Sequence, residues 1–362
     1  MKIRVFIGLW MISFLCEFML AQDMTHKKTL AYTANRRNEI FEIDIDSLKV
    51  IRSISMSDLW MAQCIDISKD GKYLYVAGNV FSSIGNVFPG NRHYPLIKLD
   101  TNSFSVIARS KLGISEAEIE KSGISCLQIK LSPNGKEIYV STEFNGTIVL
   151  DTENLNVVRK IDSAYGPKDI LFSPNNDFVY FNRGNRLDII SSKTGKLVGK
   201  TTHDKKNEKL NLSQRVKETT ATPVYIDKYG LYIKDKNKPK RFISSFPINS
   251  AKSEYDEAKI KIFDTTEDKE IDYIDVTLEY IKKLGESLPE LNKMTPDKKA
   301  IYSTLNVETI SLTPDNKKIL IPFNRGYRKT NSYIAVIDIN TKKVIGEIQI
   351  DYGVTNVVFG YK

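Results

Sequence analysis

Apolar and polar positions alternate in short runs along most of this chain, and turn residues bound the runs at regular intervals. The pattern is clearest at Leu131–Leu150, LSPNGKEIYVSTEFNGTIVL. Ser132-Pro133-Asn134-Gly135 suits a tight reversal, because proline pre-sets φ early in the turn and Asn-Gly accepts positive φ. Ile138-Tyr139-Val140 follows, with the β-branched and aromatic side chains a pleated strand prefers. Asn145-Gly146 marks a second hairpin. Thr147–Leu150 is apolar on both faces, as in a strand covered on both sides. Asp151-Thr152 turns again and Leu155–Val158 opens a fourth strand. Four antiparallel strands in about 40 residues make the size of one propeller blade.

Imperfect copies of this unit run along the chain. The first holds Leu30–Ala34, Glu39–Ile45 and Val50–Ile54, and lacks an inner strand. Thr355–Gly360 has no partner downstream, so the last strand is expected to join the first blade, closing the ring and removing two sheet edges. The second unit runs from Ala62–Ile67 through Tyr73–Val76 to Ser103–Ala108, with a long connection at Ala77–Tyr94. Asp169–Phe172 and Phe178–Phe181 begin the fourth. Beyond Thr201 the pattern weakens: Val224–Ile226, Gly230–Ile233 and Arg241–Ser244 read as a fifth unit, and Lys259–Phe263 with Glu270–Val276 as the outer half of a sixth. Val276, Leu278, Ile281, Leu284 and Leu288 recur at helical spacing, which predicts a helical insertion near 275–290. The last unit holds Ile319–Pro322, Tyr333–Asp338 and Val344–Ile350. Outer hairpins fall at Asp46, Asp100, Asp151, Ser192, Asp264 and Asp338, with another at Asp235. The expected fold is therefore all-β, a seven-bladed β-propeller over residues 29–362. Seven units give about 49 residues each, against a known range of roughly 40–50; six blades is the alternative.

The signatures LSPNGKEIYVST at Leu131–Thr142 and FSPNNDFVYFN at Phe172–Asn182 resemble the YVTN-type propeller repeat. Over residues 29–362 the chain is similar to the superfamily that includes the propeller subunits of quinoprotein amine dehydrogenases. That resemblance implies a propeller scaffold, with any quinone cofactor held in a different chain. It carries no catalytic residue onto this sequence, because one fold hosts many roles.

The N-terminus changes the picture of location. Lys2 and Arg4 precede the apolar run Val5–Leu20, which has the outline of a secretory signal peptide with a cut after Ala21. Residues 1–21 are thus expected to be removed and 22–28 to form a short lead. A lipoprotein anchor at Cys16 is disfavoured, since Ser13-Phe14-Leu15 fits a lipobox poorly. The expected location is periplasmic or extracellular, with no transmembrane span after signal removal. The net charge of the whole chain is +9, spread over scattered lysines. Without a basic stripe interleaved with aromatics, a nucleic-acid partner is not expected.

Candidate chemistry is sparse. His26, His93 and His203 share no zinc spacing, and neither GxSxG nor a phosphate-cradling glycine loop occurs. No metal and no cofactor is expected, nor any catalytic residue. Cys64 and Cys126 sit in the first strands of neighbouring units. Their offsets from the turn serines differ, so two buried thiols are favoured over a disulfide. The most suggestive pattern is in the loops after the second strand of a unit. They carry Arg36 and Arg37 in the first unit, Arg183 and Arg186 in the fourth, and Arg325 and Arg328 in the last, with Glu143 in the third. Equivalent propeller loops project from one face, where repeated guanidinium groups could hold a carboxylate or phosphate. Turn chemistry alone also accounts for the Asn and Gly beside them.

The expected function is an exported, non-catalytic propeller that binds a protein partner or small anionic ligand on its loop face. The alternatives are an accessory subunit of a periplasmic quinoprotein-type oxidoreductase, which rests on the resemblance, and a propeller hydrolase or lactonase.

Overall fold

The structure, a computed structural model, describes residues 28–56, 61–80, 94–143, 145–161, 167, 169–173, 175–182, 186–202, 224–227, 230–233, 240–245, 259–264, 269–275, 305–307, 310–325 and 332–361. Strands β1 (Thr29–Ala34), β2 (Glu39–Asp44) and β3 (Lys49–Ser55) form an antiparallel meander. The second sheet holds β4 (Met61–Ile67), β5 (Tyr73–Asn79), β6 (Leu96–Asp100) and β7 (Ser105–Ser110). A short helix, α1 (Glu116–Ser122), leads into the third sheet of β8 (Cys126–Leu131), β9 (Glu137–Thr142), β10 (Thr147–Asp151) and β11 (Val157–Ile161). The fourth holds β12 (Asp169–Phe172), β13 (Phe178–Asn182), β14 (Arg186–Ser191) and β15 (Leu197–Thr202). Strands β16 (Val224–Asp227) and β17 (Gly230–Ile233) pair with each other, and β18 (Lys240–Ser245), β19 (Lys259–Asp264) and β20 (Lys269–Asp275) form a three-stranded sheet. The last sheet contains β21 (Leu305–Val307), β22 (Ser311–Leu312), β23 (Lys318–Arg325), β24 (Tyr333–Asp338) and β25 (Lys343–Gln349).

The final strand, β26 (Val358–Tyr361), returns to the free edge of β1, with Thr29 opposite Tyr361 and Tyr32 opposite Val358. The expected closure therefore forms, and the first sheet is four-stranded only because the last strand joins the first three. The fold is an all-β propeller of radially stacked antiparallel sheets. One expected unit boundary is corrected. Arg241–Ser244 lies in β18, which pairs with β19 along Lys240–Ser245, so β18 belongs to the sheet of β19 and β20 and does not close a separate fifth unit. The hairpin expected at Asp235 and the helix expected near 275–290 (past Asp275) lie outside the described residues.

Alternate residues of a strand point to opposite faces, and here both faces are covered. From β1, Leu30, Tyr32 and Ala34 pack with Ile65, Leu74, Val76 and Ile97 of the second sheet. Ala31 faces the other way, with Ile43 and Ile45, onto Leu320, Ile334 and Val336 of the last sheet. Similar apolar seams join the second sheet to the third, the third to the fourth, and β19–β20 to the last sheet. This is why inner strands such as β10 read as apolar runs with no polar face.

Two turn designs repeat. In the first, a hydroxyl opens the turn between the two inner strands. Ser132 Oγ accepts from Glu137 N at 3.0 Å and donates to Asn134 Oδ1 at 2.8 Å. Ser68, Ser173 and Thr313 accept the matching N–H of Tyr73, Phe178 and Lys318. Gly135, at φ +72°, supplies the left-handed residue. In the second design, an acid opens the outer hairpin. Asp44, Asp100 and Asp151 each accept backbone N–H groups two and three residues on. Four residues after the acid the chain enters left-handed space at Leu48, Phe104 and Leu155. A non-glycine residue there costs about 1 kcal/mol or more. Phe104 and Leu155 are buried in the seams, and burying such a side chain stabilises by about 1.5–3 kcal/mol. The plug outweighs the strain.

Those hairpins are then held by the preceding sheet. Arg52 donates to Thr101 O at 2.5 Å and Asn102 O at 2.9 Å while paired with Glu42. Lys98, only 6% exposed, donates to Thr152 O at 2.7 Å and Glu153 O at 3.3 Å. Lys318 reaches Ile45 O and Asp46 Oδ1, and Asp272 takes Lys342 at 2.6 Å. Around the axis, inner strands are clipped side chain to backbone. Ser311 Oγ donates to Val357 O at 2.7 Å. Asn356 both donates to Ile65 O at 2.7 Å and accepts from Ile65 N at 3.0 Å. Asp66 Oδ2 accepts from Leu131 N at 2.8 Å.

Two outcomes follow from this packing. Asn356→Ala removes both bonds to Ile65 at the point of closure and is expected to cost about 1–3 kcal/mol in urea denaturation; an unchanged midpoint contradicts the clip. Asp44 provides a pH signature. Burial alone would raise its carboxyl, but bonds from Lys28, Ser47 and the backbone N–H groups of Asp46 and Ser47 hold it at about 2. A depressed carboxyl stabilises the fold above its unfolded value, near 4, and that contribution fades as pH falls through about 2. The stability gap between wild type and Asp44→Asn should be about 1–2 kcal/mol at pH 6 and close towards pH 2. A pH-independent gap would count against the assignment.

Candidate functional site

The two faces of the ring differ in what connects the strands. Inner turns such as Ser68–Gly71 and Ser132–Gly135, together with the outer hairpins, lie on one face and are short and alike. On the other face, among the described residues, the connections vary from the short 35–38 and 143–146 to 111–125, which carries α1. The variable face carries the predicted arginine positions Arg36, Arg37, Arg186 and Arg325.

The first loop on that face is built around Asn35. Its Oδ1 accepts from Arg37 N at 2.9 Å and Glu39 N at 3.0 Å, and its Nδ2 donates to Glu39 Oε2 and to Asp351 O. Arg36 N reaches the carbonyls of Tyr352 and Gly353, both at 3.1 Å. Gly353 has φ +78°, and the Arg36 side chain fills the space a Cβ would need, 3.1 Å from Arg36 Cδ. Arg37 is exposed, with its guanidinium carbon 3.4 Å from the centroid of the Tyr352 ring. Stacking on a ring leaves the edge N–H groups of a guanidinium free to meet a carboxylate or phosphate. Asn38 ties the loop to the next sheet, accepting from Ala62 N through Oδ1 and from Met56 N through its carbonyl. Arg37 is thus a charge held in place on two sides.

The structure brings Arg36 and Arg37 together with Tyr352. It places Glu143, Arg186 and Arg325 on other sheets, at the ends that border the same face. Glu143 is exposed, and its N–H donates to Ser125 O at 2.9 Å. Arg186 opens β14 opposite Thr202, and Arg325 ends β23 opposite Leu305. Arg183 and Arg328 lie outside the described residues, as do His26, His93 and His203. Sequence reading missed Tyr352. The available signal was Asp351-Tyr352-Gly353, a turn-forming run with an aromatic at its centre just after the last outer strand.

Elsewhere several shifted groups belong to seams. Burial raises the hydroxyls of Tyr32 and Tyr75, and raises Tyr139 to about 12. Burial also raises Asp66, against the pull of Lys130 and the N–H groups of Leu131 and Ile67. Arg159 bridges Glu137, at 2.8 and 2.6 Å, and Tyr139 OH at 2.8 Å. Among the described residues, no three His, Cys, Asp or Glu side chains gather closely enough to hold a metal ion. Cys64 and Cys126 are both buried and free. Among the described residues no helix is long and apolar enough to cross a membrane.

No protein-family model and no curated protein matches the sequence. Among solved structures the chain is similar to hydrazine synthase of Kuenenia stuttgartiensis, at 18% identity and a TM-score of 0.42, over 84% of this chain and 71% of that one. It is also similar to a functionally unknown protein from Desulfotomaculum acetoxidans DSM 771, at 11% identity and 0.49, over 91% and 98%. A third is dihydro-heme d1 dehydrogenase NirN in complex with DHE, at 10% identity and 0.49, over 91% and 74%. The sheets themselves carry the fold assignment.

The loop geometry separates two roles. Gly353→Ala forces a side chain into left-handed backbone and against Arg36, and is expected to destabilise by about 1–2 kcal/mol. Arg37→Ala removes one exposed cation–aromatic contact and should cost no more than about 1 kcal/mol. Denaturation of both variants checks this; a larger loss for Arg37→Ala would make it a structural residue.

Proposed function

We propose that this chain is an exported, non-catalytic propeller that binds the anionic part of a protein partner or small ligand on its variable loop face. The observation that carries the reading is Arg37, exposed on that face and fixed by Tyr352 and the Asn35 turn. The contrast between uniform turns on one face and uneven connections on the other supports it, since binding groups concentrate on loops set by a rigid scaffold. The repeats are read as YVTN-type, and residues 1–21 as a signal peptide.

The same reading takes the ring as six blades. Six outer hairpins occur among the described residues: β2–β3, β6–β7, β10–β11, β14–β15, β19–β20 and β24–β25. Each second arm shows an exposed β-branched residue at one equivalent position: Ile51, Ile107, Val158, Val198, Ile271 and Ile345.

The test immobilises the purified chain and measures what it retains from the native envelope fraction. Arg36→Ser with Arg37→Ser is expected to weaken retention of a specific partner at least tenfold. Lys136→Ser with Lys193→Ser, exposed on the opposite face, should leave it unchanged. Equal retention by both double variants overturns the assigned face, and steady turnover of a substrate by the chain alone overturns the non-catalytic role.

A further inference from the structure

Two thiols converge on the seam between the second and third sheets. In β4, Cys64 lies opposite Ala77 of β5. Cys126 opens β8, with its Sγ 3.9 Å from Pro95 O, the same carbonyl that accepts from the Gly78 backbone N–H at 2.9 Å. Its own N–H donates to Asn79 Oδ1 at 3.0 Å. Both cysteines therefore address the same step of β5, Ala77 to Asn79. At Gly78 the backbones are pressed together, since an added Cβ would lie 2.5 Å from Met61 O. Strands β4 and β8 each change register at their cysteine, between Ala62 and Cys64 and between Cys126 and Gln128, and such irregularities re-aim side chains. The two belong to one apolar cluster with Tyr75, Ala77 and Leu96, at 9% and 1% exposure. The sequence offset that disfavoured a bridge does not separate them in space.

We propose that Cys64 and Cys126 are a dithiol pair that closes to a disulfide when the chain meets a low-molecular-weight disulfide, linking the second and third sheets across their seam. One cysteine thiolate attacks the reagent disulfide and releases one reagent thiol. The other then attacks the protein sulfur of that mixed disulfide and releases the second. The protein pair is oxidised, the reagent is reduced to two thiols, and these carry off the two protons. Burial holds Cys126 at about 12 and Cys64 well above the ordinary thiol value, so the folded chain should react slowly and a chain folding in the presence of the reagent quickly. An oxidising compartment supplies such conditions, in line with the proposed export.

The chain carrying Cys16→Ser, so that Cys64 and Cys126 are its two thiols, is refolded from denaturant with oxidised glutathione, then analysed by intact mass and peptide mapping, and the variants below are made in the same background. The expected product has lost two hydrogens, yields one linked Cys64–Cys126 peptide, and unfolds on the order of 5 °C above the reduced protein. Cys64→Ser and Cys126→Ser should each end with a single glutathione adduct. The Cys16→Ser chain carrying glutathione on both cysteines, or two unreacted thiols, overturns the pairing. A linked form with a lowered midpoint overturns its role as a staple.

Discussion

Every described strand of this ring that has neighbours on both sides must bury both faces, and that constraint governs the rest. A four-stranded wedge with Leu30, Tyr32 and Ala34 on one face and Ala31 on the other has no stable free-standing form. Each apolar face needs a neighbouring sheet, which in turn exposes its own far face. Only closure ends the sequence of demands. Pairing β26 with β1 does so, because it covers the inner edge of β1 as Ala31, Ile43 and Ile45 seat against Leu320 and Ile334. The clips from Ser311, Asn356 and Asp66 then join successive inner strands where the sheets come closest to the axis.

The same demand explains the outer hairpins. A wedge widens outward, so its outer corner is where packing thins. Phe104 and Leu155 fill that corner from left-handed backbone that leucine and phenylalanine otherwise avoid. The acid at the start of the hairpin uses its carboxylate on backbone N–H groups and leaves carbonyls facing out. Arg52, Lys98 and Lys318 take those carbonyls from the preceding sheet. Lysine at 6% exposure is otherwise a costly choice; at Lys98 it is supported by two carbonyls and by the ring of Tyr73 4.2 Å away.

Much of this was legible in the residues. The turn copies at Ser68, Ser132, Ser173 and Thr313 announce strand pairs, and the unpartnered run at Thr355–Gly360 announces closure. What the sequence hid was the division of labour within a turn. Pro133 and Asn134-Gly135 draw the eye, yet the hydroxyl is the shared part, because it alone satisfies the backbone N–H across the turn. Unit boundaries failed where copies degrade. Arg241–Ser244 has strand character in isolation, and only its ladder with Lys259–Asp264 shows which sheet owns it. Arginines in loops were visible as a pattern, but their separation could not be read. Arg36 and Arg37 gain a fixed setting from Asp351–Gly353, over three hundred residues away and brought beside them only by ring closure.

That last dependence ties the candidate site to the scaffold. Tyr352 lies on the segment that carries the chain from β25 back to β26. Opening the β26–β1 pairing would therefore release Tyr352 and Gly353 from the Arg36–Arg37 loop along with the sheet edge. A preset charge loses little conformational freedom on meeting its ligand, whereas a guanidinium on a free loop must first be ordered. The face that can vary in loop length is thus anchored, at Arg37, to the one contact the ring cannot lose. Sequence change can accumulate in the long connections while the charge beside the closure stays where it is.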